Sequence, residues 1–241
     1  MSKNVYVCQF SLDRVEQYDM KASVKDSGFT YPDLKGILRS RLEEENDEII
    51  SKKKEYSPLA LELERTNHFF MQSKIVPNAL WIGVEKDEIK LPTNQDYIFS
   101  IWNGGRIFNQ ACATILKKHR LGETILTPVQ IYDLSTGDLV SDETYYFLNL
   151  YERRTYICNP QSDTRVFRKV FNVYRDDLYM AYDFIKDQKL EVDNSALACD
   201  VDLWFDDRLG SYFFISDDLY QALSQAGMID KFNPHTCNLI R

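Results

Sequence analysis

The hydrophobic pattern of this 241-residue chain changes period near Thr127. Ahead of that point, apolar residues recur at the spacing of one helix face. Leu34, Ile37, Leu38, Leu42, Ile49 and Ile50 predict a helix over 33–55 that Asp33 can cap, and a further helix fits 59–71 between Pro58 and Pro77. Ile107, Cys112, Ile115 and Leu116 predict another over 106–119, closed by Lys117, Lys118, His119 and then Gly122. Beyond Thr127 the period is that of strands, expected at 129–132, 144–151, 155–158, 165–174, 196–204, 212–215 and 237–240. Shorter strands fit 4–10, 81–84 and 97–101. The expectation is an α+β fold of mixed or antiparallel sheets with packed helices: a helix-rich half, 1–126, and a strand-rich half, 127–241, forming either two domains or one continuous domain.

The chain has ample apolar material for a core, with 44% hydrophobic residues including 15 Tyr and 14 Phe. That composition excludes disorder. The five cysteines, Cys8, Cys112, Cys158, Cys199 and Cys237, are scattered and odd in number, which predicts free thiols in a reducing cytoplasm. The N-terminus lacks an apolar leader, and no apolar run reaches the roughly 18 residues needed to span a bilayer. Cytoplasmic residence is therefore expected.

Charge narrows the choice of partner. With 29 basic and 37 acidic residues, the formal net charge is −8. Phosphate backbones and anionic membranes bind through cations, so nucleic acid and membrane are disfavoured, while a basic protein partner is favoured. The run Glu43, Glu44, Glu45, Asp47 and Glu48 followed by Lys52, Lys53 and Lys54 suits the dipole of the first expected helix and reads as its solvated face.

Catalytic signatures are missing. The histidines His68, His119 and His235 have no neighbours at zinc-ligand spacing, and no phosphate-binding loop, nucleophile elbow or metalloprotease helix occurs. Trp102-Asn103-Gly104-Gly105 ahead of the expected helix at 106 has the form of an anion cradle, although a plain strand-to-helix turn explains it as well. Cys199 and Cys237 lie in apolar strand patterns, where cysteine behaves as a small hydrophobe. Neither metal nor cofactor is expected. The acids Asp200, Asp202, Asp206 and Asp207 form the best candidate cluster, with Asp217 and Asp218 assigned to the first turn of a helix capped by Ser216 and ended by Gly227.

The segment that carries most information is Val201-Asp202-Leu203-Trp204-Phe205-Asp206-Asp207-Arg208-Leu209-Gly210-Ser211-Tyr212-Phe213-Phe214-Ile215-Ser216-Asp217-Asp218-Leu219-Tyr220-Gln221-Ala222-Leu223, followed by Ala226-Gly227. It comprises a strand, an acidic Asp-x-Arg loop, an apolar strand ending in Ser-Asp, a helix with Ala-Leu, and a glycine. In this it resembles the closing motif of the family-11 immunity proteins of bacterial polymorphic toxin systems. Thr144-Tyr145-Tyr146-Phe147-Leu148-Asn149-Leu150 is similar to that family's aromatic strand, so the likeness covers 127–241. It implies a non-enzymatic protein that binds and neutralises a cognate toxin in the cytoplasm. Asp202, Trp204, Asp206, Asp207 and Arg208 are the candidate partner contacts, and Trp102 and Trp204 are expected to be exposed enough for an interface. The alternative is a hydrolase or nuclease using Asp206, Asp207 and His235, and an adaptor without any toxin is a third reading.

Overall fold

A computed structural model describes residues 3–10, 16–18, 20–23, 77–82, 90–101, 105–133, 136–158, 167–169, 179–181, 186–206, 208–209 and 212–241. The expected helices at 33–55 and 59–71 lie outside these residues, as do Trp102, Asp207 and His68. In chain order the described elements begin with strands β1 (Val5–Cys8), β2 (Glu16–Tyr18), β3 (Lys21–Ser23), β4 (Ala79–Ile82), β5 (Ile98–Ile101) and β6 (Arg106–Phe108). Helix α1 (Gln110–Leu116) leads into β7 (Ile125–Asp133), β8 (Tyr145–Asn149), β9 (Phe167–Lys169), β10 (Tyr179–Ala181) and β11 (Glu191–Asp193). The chain closes with β12 (Leu203–Trp204), β13 (Phe213–Ser216), helix α2 (Asp217–Gln225), β14 (His235–Thr236) and β15 (Asn238–Ile240). Mixed and antiparallel sheets combined with helices make this an α+β protein, as expected. Among the described residues, no helix is long and apolar enough to cross a membrane.

Two compact units divide the chain, and both are discontinuous. The first comprises Met1–Val15, Cys112–Thr124 and Leu150–Arg241, and the second Glu16–Ala111 and Ile125–Asn149. This division does not follow the one expected at 126/127, a boundary that falls inside β7.

The second unit is built on a seven-stranded sheet in the order β2-β5-β6-β8-β7-β4-β3. β2 runs parallel to β5 and β4 parallel to β7, and the other pairings are antiparallel. Every residue of β4, β5 and β8 is buried, and apart from Ser100 and Asn149 these strands carry apolar or aromatic side chains throughout. Leu80, Ile82, Phe99, Ile101, Ile107, Val129 and Phe147 pack on one another in the core of this unit. A second cluster joins Ala79, Trp81 and Tyr132.

Here one expectation is overturned. Residues 106–108 form β6 rather than the start of a helix, and α1 begins only at Gln110. Ile107 and Phe108 are fully buried between β5 and β8. Burial is worth roughly 2 kcal/mol for each such side chain, against a helix preference of a few tenths per residue, so sheet packing decides. At Gly105, just ahead of β6, an added Cβ would lie 3.0 Å from the side chains of both Ile101 and Phe147 and would crowd them. Gly105 is thus followed by a strand, and not by the helix N-terminus that an anion cradle requires.

The first unit contains a four-stranded antiparallel sheet, β12-β13-β1-β14, so the chain's opening strand lies inside a sheet made otherwise from its last quarter. Alternation along β1 sorts its side chains. Val5 and Val7 join Trp204, Phe214, Leu190, Val192 and Cys237 in one cluster. Tyr6 instead stacks on Tyr220 of α2 with ring centroids 3.9 Å apart, and Phe10 packs on Phe213 and Phe232. β11 pairs in parallel with β15, and β9 pairs with β10.

The expected strand over 196–204 is confined to Leu203–Trp204. Asp193 accepts from the Ser195 N–H at 2.8 Å and holds Asn194–Ala198 in a 3-10 turn, so a side-chain hydrogen bond displaces the extended form. Residues 155–158 are reduced to a bridge between Ile157 and Val192. Of the strand expected over 165–174, only β9 lies among the described residues.

Candidate functional site

The closing motif folds as β12, β13 and α2, and its acids Asp202 and Asp206 flank β12. Asp202 precedes β12 and is buried. Its main chain ties two segments together, the Asp202 N–H donating to the Arg120 carbonyl at 2.7 Å and the Ser216 N–H donating to the Asp202 carbonyl at 3.0 Å. Its carboxylate takes four donors. Oδ2 accepts from the Arg120 backbone N–H at 2.9 Å and Nε at 3.2 Å. Oδ1 accepts from Arg120 Nη2 at 2.7 Å and from the Ser216 hydroxyl at 2.8 Å. A carboxylate offers about four lone-pair sites, so this one is saturated. Burial alone would raise its pKa, but the hydrogen bonds from Arg120 and Ser216 outweigh burial and hold it below the usual carboxylate range. His119 Nδ1 stands 3.7 Å away.

Asp206 repeats this arrangement at the far end of β12. Its Oδ1 accepts from the Arg208 backbone N–H at 3.1 Å and Nε at 2.8 Å, and its Oδ2 from Arg208 Nη2 at 2.6 Å and the Ile157 N–H at 3.3 Å. Arg208 Nη2 also donates to the Ile157 carbonyl at 3.0 Å. Asp206 is thus a second saturated carboxylate, with its side chain 1% exposed. Between the two acids, Trp204 is 1% exposed, stacked on Phe214 and edge-on to Tyr156. The expectation that Trp204 is exposed is therefore corrected: β12 is flanked by β13 and turns the indole into the core.

Asp202 and Asp206 thus have their hydrogen-bonding capacity committed within the chain, and Trp204 its surface. Arg208, 23% exposed in its side chain, keeps some access to solvent. The acids also lack the free lone pairs that proton transfer or metal binding requires. His235, the third member of the hydrolase alternative, has a different neighbour: its Nδ1 lies 3.6 Å from Asp187. Among the described residues, no group of three His, Cys, Asp or Glu converges as a metal site. Burial pushes the Cys237 thiol up to about 12 and also raises Cys8, Cys112 and Cys158, which disfavours the nucleophilic thiolate at each.

Two further features belong to this surface. Arg154 bridges Asp200 and Glu152, at 2.8 Å from each. A shallow groove at the N-terminus of α2 is lined by Lys3, Arg120, Leu197, Asp217 and Asp218. Arg120 is the residue that the sequence concealed. It follows an ordinary basic helix end, and its partner lies 82 positions further on. Ser216 was legible as a cap, and its hydroxyl accepts from the Leu219 N–H at 3.2 Å.

No family model matches the chain, and no curated protein matches it significantly.

Proposed function

We propose that this chain is an immunity protein that binds a cognate bacterial toxin in the cytoplasm and blocks it. The observation that carries the reading is the closing motif, whose succession of strand, Asp-x-Arg loop, strand, Ser216-Asp217, helix and Gly227 resembles that of the family-11 immunity proteins. The hydrogen bonding supplies a physical reason for the motif's form. Asp206 and Arg208 staple the loop, and Ser216 both caps α2 and donates to Asp202. In this reading Asp202, Trp204 and Asp206 are the frame of the binding domain, and exposed side chains contact the toxin. The acidic net charge favours a cationic toxin surface, because opposite charge accelerates encounter.

The test is co-expression with the protein encoded immediately upstream, read by pull-down and by growth rescue. The reading expects a stable complex, restored growth, and an association rate that falls as salt rises. Absence of both complex and rescue overturns it.

A further inference from the structure

We draw no further inference here: the strongest candidate, the shallow groove at the N-terminus of α2 lined by Lys3, Arg120, Leu197, Asp217 and Asp218, has Lys3 already paired with Asp218 and Arg120 with Asp202, and nothing in the structure shows what would cover it.

Discussion

Asp206 and Asp202 are each buried and bonded to four donors, so removing either carboxylate takes the acceptor from all four. Asp206→Ala leaves the buried Ile157 N–H without its acceptor and removes three of the hydrogen bonds that Arg208 makes, and breaking a pair of this kind costs about 3 kcal/mol. The expected outcome is a lower urea midpoint with the slope unchanged. Equal midpoints for the variant and the parent chain would return Asp206 to the list of free contact residues. One consequence is practical: loss of toxin binding in an Asp206 variant does not separate contact from framework until stability has been measured. Asp202 adds a pH dependence. Its pKa is lowered on folding, so its contribution is fully present above the unfolded carboxylate value of about 3.9 and is lost as pH falls through the lower folded value. Acid titration of stability should show this loss below about pH 4 in the parent chain, and a smaller loss in Asp202→Asn. Sequence alone singled out these acids as a possible site because it shows charges without their partners. Arg208 stands two positions from Asp206 and is visible, whereas Ile157 is 49 positions from Asp206, and neither it nor Arg120 is announced by any local pattern.

The succession β13, Ser216, α2 and Gly227 was legible in full, because each of its signals is local. The apolar strand stops at a residue that caps, acids occupy the first turn, and Gly227 takes φ +68° where other residues are strained. The cap also reaches beyond its helix, since the Ser216 hydroxyl accepts from Leu219 and donates to Asp202. Ser216→Ala removes both bonds, and an expected loss of about 1–2 kcal/mol exceeds that of an isolated helix cap at the surface. Thermal unfolding checks the size of the loss, and amide exchange at Leu219 locates it. Unchanged exchange at Leu219 would separate the cap from helix stability. β6 and the turn Asn194–Ala198 were misread for opposite reasons. Long-range sheet burial overrode helical spacing at Ile107 and Phe108, while a two-residue hydrogen bond from Ser195 to Asp193 overrode strand spacing.

Interleaving of the two units is the property least visible in the sequence, since a change of period near Thr127 looks like a domain boundary. The sheet registers run across that point. Val5 through Cys8 pair with Ser216 through Phe213 on one side, while Tyr6 and Val7 pair with Thr236 and His235 on the other. Residues 127–241 expressed alone lack β1, leaving β13 and β14 with open edges and the core without Val5 and Val7. They also lack Arg120, so Asp202 keeps only Ser216 among its four donors. An unpaired interior edge and an uncompensated buried carboxylate both favour aggregation over a packed state. This fragment is therefore expected to show no cooperative urea transition and to bind a hydrophobic dye, whereas the full chain unfolds cooperatively. Adding a peptide of residues 1–15 replaces the strand but not Arg120, so it should restore order only partly. A sharp transition from 127–241 alone would make the strand-rich half a domain in its own right and place β1 among the dispensable edge strands.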